Sequence, residues 1–280
     1  MVFIELLKDC GKKKDLCKGI RIHEEILKRG LLQQCPHIGN TLISMYAKCG
    51  ALSKARNVLN ELPNRNIISW NALISGYTQQ KQGIEAIRCF KIMRNDGLSP
   101  NEVTYICILK ACGNIGAIEE GRRIHEEVVS KGLVCKHIML GSALVDMYAK
   151  CGFLVKAQQV LEELPIRNVV SWSSLIAGYV QHGLGNDAID CFQRMQNEGL
   201  SPDAITFTCI LKACGSTRAV EKGREIHDEI SSRGFLHDDV VIGNALVDMY
   251  AKCGLVKKAQ QVLSELYVRD VVSWNALIGG

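Results

Sequence analysis

Cysteine can bind metals, form disulfides or act as a nucleophile, and thirteen cysteines occur among the 280 residues of this chain. Zinc sites use cysteines that converge in pairs, typically as Cys-x2-Cys. No cysteine here is followed by another three residues later, and the closest pairs, Cys107/Cys112 and Cys209/Cys214, are five residues apart. We therefore predict that the cysteines are small apolar core residues and that the chain binds no metal. Their odd number also argues against a complete disulfide framework.

Three histidines followed by acidic residues are the second candidate for chemistry. His23, His125 and His227 each begin a His-x-Glu sequence, which matches one half of the zinc deaminase signature. The Pro-Cys-x2-Cys half is absent, and no second histidine completes His-Glu-x2-His. We predict a structural role for these histidines, no catalytic site and no cofactor.

The tryptophans reveal an internal repeat that organises the chain. Trp70, Trp172 and Trp274 are 102 residues apart, and the histidines above share this offset. Self-similarity at a fixed period is the signature of a repeat architecture.

Each repeat has the pattern of a helical hairpin. From Trp70, apolar residues recur at helical spacing as Leu73, Ile74 and Tyr77, and a second such run follows a break at Gly83. A single hairpin cannot bury its apolar stripe, so neighbours must stack into an all-α solenoid with a concave face. Trp70 could stack on a base, but its helical face is apolar, which favours a place in the core.

Composition limits the function only loosely. With 47% apolar residues the chain can bury a large core, and its net charge of +5 permits a polyanionic partner without requiring one. No apolar run approaches the roughly 20 residues of a membrane span, and Glu5 and Asp9 make the N-terminus unlike a transit peptide. We expect no membrane association, and no targeting segment is visible.

Some polar residues beside the apolar stripe differ between repeats, although the surrounding apolar positions are the same. Asn71 corresponds to Ser173, and Asn40 corresponds to Ser142 and Asn244. A polar side chain that changes from repeat to repeat at a fixed position is typical of residues that recognise a ligand. The alternative is ordinary sequence variation of surface residues.

The chain contains segments that resemble motifs of the pentatricopeptide repeat (PPR) family of plants, namely WNALISGY, AIRCFKIMRNDGLSPN, LVDMYAKCG and LKACG. The alternation of hairpins with 31, 35 and 36 residues resembles its PLS class, in which S, P and L motifs alternate. The even 34-residue period of tetratricopeptide repeats does not fit. The resemblance covers the whole chain and implies one right-handed superhelical solenoid. Its motifs would be a partial L motif at 1–35, S at 36–66, P at 67–101, L at 102–137, S at 138–168, P at 169–203, L at 204–239, S at 240–270 and the start of a P motif at 271–280.

The resemblance further implies single-stranded RNA binding, with one base per motif read by the fifth and last residues. The reading pairs would be Asn40 with Asn66, Asn71 with Asn101, Ser142 with Asn168, Ser173 with Asp203, Thr208 with Asp239, and Asn244 with Asp270. Aspartate offers only acceptors and suits G or U, whereas an asparagine amide, free to turn either way, suits A or C. The implied RNA is pyrimidine, pyrimidine, a base left unread by Ile106 and His137, A, G, a further G if L motifs read bases, and U.

The second residues of the motifs would sandwich the bases. They are Ile68, Val103, Met139, Val170, Ile205, Val241 and Val272. His37 departs from this apolar pattern. Lys48, Lys150 and Lys252 lie two helical turns beyond the S-motif reader on the same face, where phosphate contact is possible. The alternative for each is a solvated lysine near a helix end.

The resemblance thus implies a non-enzymatic RNA-binding chain of mitochondria or chloroplasts. It would specify sites of C-to-U editing or other transcript processing, with an editing deaminase or editing-factor protein as a further partner. A helical-repeat scaffold for protein–protein interaction is the alternative.

Overall fold

The structure, a computed structural model, describes residues 2–279, except for the side chains of His237 and Asp238. Met1 and Gly280, at the outer ends of the predicted first and last motifs, lie outside the described residues. The chain forms two compact units whose boundary falls between Ala143 and Leu144. The helices up to this boundary are α1 (Val2–Lys13), α2 (Leu16–Lys28), α3 (Leu31–Gln34), α4 (Pro36–Lys48), α5 (Leu52–Glu61), α6 (Ile67–Gln79), α7 (Gly83–Asn95), α8 (Glu102–Ile115), α9 (Ile118–Ser130) and α10 (Ile138–Lys150), which contains it. Those after it are α11 (Leu154–Glu163), α12 (Val169–Gln181), α13 (Gly185–Asn197), α14 (Ala204–Thr217), α15 (Val220–Ser232), α16 (Phe235–Asp238), α17 (Val240–Lys252), α18 (Val256–Glu265) and α19 (Val271–Ile278).

Hairpins stack in sequence order within each unit. In the first unit α1 packs on α4, α4 on α6 and α6 on α8, and each of these helices also packs on the helix that follows it. In the second unit α12 packs on α14, α14 on α17 and α17 on α19. The described residues contain no β-strand, so the predicted all-α helical-repeat solenoid is confirmed.

The apolar stripes form the core between stacked hairpins. Trp70 and Trp172 are 3% and 0% exposed, which confirms their predicted place in the core. Trp274 occupies the same repeat position in α19 and is 51% exposed. Close approach of helices depends on small residues, since a Cβ added to Gly76 would lie 2.6 Å from the Cβ of Ala47.

Five of the thirteen cysteines are buried in the core, six are half-buried, and Cys17 and Cys135 are exposed, so the predicted core placement holds for only part of the set. Burial raises the pKa of Cys89 and Cys191 to about 11 and that of Cys214 to about 12. Their thiols are therefore protonated at neutral pH, which disfavours both metal ligation and nucleophilic attack. Among residues 2–279 no group of three His, Cys, Asp or Glu side chains is placed to hold a metal ion. No helix in this range is long and apolar enough to cross a membrane.

Two of the repeated histidines pack against tyrosines. Nδ1 of His23 lies 2.9 Å from the Tyr46 hydroxyl, and His227 makes the same contact with Tyr250. Burial lowers the pKa of both imidazoles, so they remain neutral in the folded chain at physiological pH. The contacts join a second helix to the following first helix, which is a structural role.

Candidate nucleic-acid interface

The last residue of a predicted motif caps the helix that follows it. Asparagine and aspartate are among the best N-caps because a side-chain oxygen accepts from backbone N–H groups in the first helical turn. The side-chain oxygens that do so belong to Asn66 on α6, Asn101 on α8, Asn168 on α12, Asp203 on α14, Asp239 on α17 and Asp270 on α19. At these six positions the cap is a short side chain that also has hydrogen-bonding capacity, whereas Cys35 makes no side-chain cap before α4.

Capping decides which atom of these side chains remains available. Oδ1 of Asn66 accepts from two backbone N–H groups at 2.9 and 3.0 Å, which leaves its Nδ2 as a donor. Oδ1 of Asp203 accepts from the Thr206 N–H at 2.8 Å, and its Oδ2 has no hydrogen bond to any described residue. An asparagine cap thus presents a donor and an aspartate cap an acceptor. The amide is not free to turn, contrary to our expectation from sequence, because turning would remove the cap.

A buried hydroxyl links the fifth and last residues of 67–101, the first predicted P motif. The Thr104 hydroxyl donates to Oδ1 of Asn71 at 2.7 Å, and Nδ2 of Asn71 donates to Oδ1 of Asn101 at 3.0 Å. Thr104 also donates its backbone N–H to the same oxygen of Asn101 at 3.1 Å. Three side chains therefore hold one another before any ligand arrives.

Residues 240–270, the third predicted S motif, repeat this arrangement with an acidic cap. The Ser273 hydroxyl donates to Oδ1 of Asn244 at 2.5 Å, and Nδ2 of Asn244 donates to Oδ1 of Asp270 at 3.2 Å. The pKa of Asp270 is lowered, chiefly by the backbone N–H of Ser273. This carboxylate is consequently ionised and acceptor-only at neutral pH.

In the second P motif the link runs through two hydroxyls. The Ser173 hydroxyl lies 2.6 Å from that of Thr206, which donates to Oδ1 of Asp203 at 2.7 Å. The Ser173 hydroxyl also lies 2.7 Å from the Val169 carbonyl, so its single proton has two acceptors within reach, that carbonyl and the Thr206 oxygen. Ser173 is 6% exposed, and its hydroxyl lies within hydrogen-bond distance of Thr206 and of the Val169 carbonyl.

These linking hydroxyls were not predicted from the sequence. They belong to Thr104, Thr206 and Ser273, which are fully buried at the third position of their motifs. Ser69 and Ser171 occupy the same position but donate to the carbonyls of Asn66 and Asn168. Their signal was present, because Asn or Asp followed three residues later by Ser or Thr allows a side-chain exchange across the first helical turn.

The L-motif pair is not linked. The Thr208 hydroxyl donates to the Ala204 carbonyl at 2.8 Å, and Asp239 caps α17. No hydrogen bond joins Thr208 to Asp239 within the described part of the chain. The third residue of the following motif is Ile242, which carries no hydroxyl to connect them. His137, at the end of the unread L motif, lies instead 2.8 Å from Glu102.

The pair predicted for the first S motif differs from the linked ones. Asn40 is 8% exposed, and its Oδ1 is buried without a hydrogen-bond partner among residues 2–279. The Ser69 hydroxyl, which would be its counterpart, donates to the Asn66 carbonyl at 2.7 Å. Ser142, in the first unit, donates to the Ile138 carbonyl at 3.4 Å. Its predicted partner Asn168 caps α12 in the second unit.

The second residues of the motifs are apolar and exposed. Their exposed fractions range from 47% to 64%, for Ile68, Val103, Met139, Val170, Ile205, Val241 and Val272. His37 is exposed as well. Exposed apolar side chains that recur at one repeat position indicate a contact surface.

One pocket in the second unit brings the predicted readers together. Its volume is about 520 Å³, and both Val241 and Val272 line it. Asn244, Asp270 and Lys212 line the same pocket. The volume lies within the range of pockets that hold small organic ligands.

The three predicted phosphate lysines differ in their partners. Lys150 donates to Asp146 and Lys252 to Asp248, both at 2.7 Å. Lys48 is exposed and has no ion pair among the described residues. The two acidic partners lie four residues before their lysines, a spacing typical of helical ion pairs that sequence analysis overlooked.

Comparison with known proteins identifies the family. The PPR repeat family matches residues 65–114 and 167–216, and the PPR repeat matches residues 40–67, 103–133, 142–169, 205–235 and 244–271. A chloroplastic pentatricopeptide repeat-containing protein of Arabidopsis thaliana is 37% identical over 275 residues, which are 98% of this chain and 44% of the relative. A mitochondrial one of the same species is 37% identical over 276 residues, which are 98% of this chain and 43% of the relative. The chain thus spans less than half of these relatives.

Solved structures agree with this assignment. Maize PPR10 covers 94% of this chain with a TM-score of 0.74 and 25% identity, and the match takes in 38% of PPR10. PPR10 in complex with an 18-nucleotide psaJ RNA element matches with a TM-score of 0.72 and 26% identity, over 94% of this chain and 39% of PPR10. The repeat matches, together with the stacked hairpins and capped first helices, show that this chain belongs to the pentatricopeptide repeat family.

Proposed function

We propose that this chain binds single-stranded RNA and reads one base per P or S motif. The observation that carries the proposal is the pocket of about 520 Å³ in the second unit. Val241 and Val272 supply two apolar walls for a flat base, while Asn244 and Asp270 supply polar groups at its edge. The psaJ RNA element found in complex with PPR10 supports RNA binding by this chain.

The capping geometry supplies the chemistry of the readout. The free acceptor of a capping aspartate suits the ring N–H of G or U, and the free donor of a capping asparagine suits the ring acceptor of A or C. A small fifth residue such as Ser173 leaves room for a purine, and an asparagine there favours a pyrimidine. The proposed readers are the pairs and sandwich residues named above, with Lys48, Lys150 and Lys252 as phosphate contacts.

We assign the chain to the PLS class on its alternating repeat lengths of 31, 35 and 36 residues. In this proposal the repeats guide C-to-U editing or other processing of organellar transcripts, and an editing deaminase or editing-factor protein provides the chemistry. The relatives named as chloroplastic and mitochondrial support an organellar location.

A binding assay tests the proposal. A fluorescently labelled RNA with A, G and U at the positions assigned to Ser142/Asn168, Ser173/Asp203 and Asn244/Asp270 is titrated with the chain at one salt concentration. Each good base-edge contact contributes about 1–3 kcal/mol, so this RNA should bind at least tenfold more tightly than its complement or the corresponding DNA. Equal affinity for all three would contradict base readout, and absence of binding would favour the protein scaffold.

A further inference from the structure

A second pocket, in the first unit, collects positive charge. It has a volume of about 370 Å³ and is lined by Lys8 and Lys12 of α1 and by Lys48 of α4. Asn40 and Ser44 also line it, and no acidic residue does.

The three lysines of this pocket lack the partners that neighbouring lysines have. None of them makes an ion pair with a described residue, whereas Lys13 on the same helix lies 3.1 Å from Asp9. Unpaired like charges that share a pocket repel one another, and a bound anion relieves that repulsion.

Packing restricts where Lys48 can reach. A Cβ added to Gly11 of α1 would lie 3.3 Å from Cδ of Lys48, so the aliphatic stem of the lysine rests on this glycine. The ammonium group is consequently held near α1, which also carries Lys8 and Lys12.

The corresponding lysines in later repeats are neutralised. Ser44 of the first S motif corresponds to Asp146 and Asp248 of the other two, and these aspartates lie 2.7 Å from Lys150 and Lys252. Asp248 also lines the pocket of the second unit. The residue four positions before the lysine therefore decides whether its charge is available.

Asn40 provides an independent indication of a ligand. It is more than nine-tenths buried, lines the pocket, and has an Oδ1 atom without a hydrogen-bond partner among the described residues. A buried acceptor without a donor is costly, and a nucleotide can supply one from a base N–H or from a ribose hydroxyl.

We propose that the pocket of Lys8, Lys12 and Lys48 binds a phosphodiester group of the RNA, and that Ser44 makes the first S motif the strongest phosphate contact of the three. This inference rests on the proposed RNA binding and adds to it a hierarchy among the S motifs. Asp146 and Asp248 weaken phosphate contact at the second and third S motifs.

Reciprocal substitutions test the hierarchy. Ser44→Asp gives Lys48 the partner that its counterparts have, and Asp248→Ser releases Lys252. Affinity for a labelled RNA is measured over a series of salt concentrations. Ser44→Asp should weaken binding on the order of threefold and lower the log–log salt slope by about 0.7, the value for one phosphate contact on a single strand. Asp248→Ser should change both quantities in the opposite direction.

Two controls isolate the pocket. Ser53→Asp places the same charge on an exposed residue of α5 and should leave the salt slope unchanged. An abasic oligonucleotide of the same length carries phosphates without bases, and the Lys12→Gln/Lys48→Gln variant should lose affinity for it as well as for RNA.

The outcomes separate this inference from the proposed function. A wild-type salt slope in both Ser44→Asp and Lys12→Gln/Lys48→Gln, with the base preferences retained, would overturn the phosphate pocket and leave base readout standing. Failure of the wild-type chain to bind RNA would overturn both proposals. A lowered slope with unchanged ranking of the four bases supports the pocket.

Discussion

The indole N–H of Trp70 is a buried hydrogen-bond donor without an acceptor. The equivalent tryptophan of the later repeat shows which position can supply that acceptor. Nε1 of Trp70 has no hydrogen-bond acceptor among the described residues. One repeat later, Nε1 of Trp172 donates to Glu198 at 3.0 Å, and Glu198 also lies 2.9 Å from Arg167. The residue that corresponds to Glu198 in the first unit is Asp96, which is shorter by one methylene.

Asp96→Glu should therefore stabilise the first unit. The backbone permits the change, because Asp96 and Glu198 are both C-caps with nearly identical angles, φ −71°, ψ 5° and φ −78°, ψ 3°. A hydrogen bond to a charged acceptor contributes about 1.5–3 kcal/mol, and ordering the longer side chain offsets part of it. We expect a net gain of about 1–2 kcal/mol. Glu198→Asp should cost a similar amount in the second unit.

Two measurements check this expectation. Urea unfolding reports the free energy of unfolding, and ¹⁵N-labelled tryptophan reports the three indole N–H signals of the chain separately. In Asp96→Glu the Trp70 indole proton should move downfield and exchange more slowly with solvent. Asp96→Asn, which adds no length but removes the ion pair with Arg65 at 3.6 Å, is the control; it should leave the Trp70 signal unchanged and should not stabilise the chain. A stability equal to wild type together with an unaltered Trp70 signal would refute the reasoning.

Three further expectations concern specificity, packing and pH. Ser173→Asn should move the preference at one base from G toward U by about 1–3 kcal/mol, in competition among RNAs that differ only there; identical rankings would exclude Ser173 as a determinant. Leu161→Ala removes a fully buried side chain of α11 and should cost about 2–5 kcal/mol in urea unfolding, so a loss below about 1 kcal/mol would contradict tight packing. Burial lowers the pKa of His23 and His227, so their contribution to stability is complete above the ordinary histidine value of 6.5 and is lost as pH falls through it toward the lowered values. Melting temperature should thus fall on acidification, and less steeply in a His23→Asn/His227→Asn variant; parallel curves would assign the effect to other groups.

Helix boundaries were the most predictable part of the fold. Asn66 before Ile67 and Asn168 before Val169 are strong cap residues directly preceding apolar helical runs, and the helices begin at those apolar residues. Burial of Trp70 was predictable because it follows from periodicity along one helix. Local patterns of this kind depend only on neighbours in sequence.

Contacts between helices were not predictable in the same way. The hydrogen bond between Ser173 and Thr206 depends on the distance between α12 and α14, which periodicity does not give. The exposure of Trp274 depends on which helices pack beside α19. The ion pair of Lys252 with Asp248 was predictable, because the two residues are four apart on one helix. A lysine should therefore be proposed as a phosphate contact only after the acidic residues one helical turn away have been considered.

Asp203→Asn tests the central claim most directly. An asparagine keeps Oδ1 as the cap of α14 but replaces the free acceptor Oδ2 with a donor, while Ser173 still leaves room for a purine. Four RNAs that differ only at the base assigned to this pair are compared for wild type and variant at one salt concentration, with circular dichroism to verify the fold. We predict that the preferred base changes from G to A, by about 1–3 kcal/mol, while preferences at neighbouring positions persist. An unchanged preference for G in the folded variant would contradict the claim that capping residues read the bases.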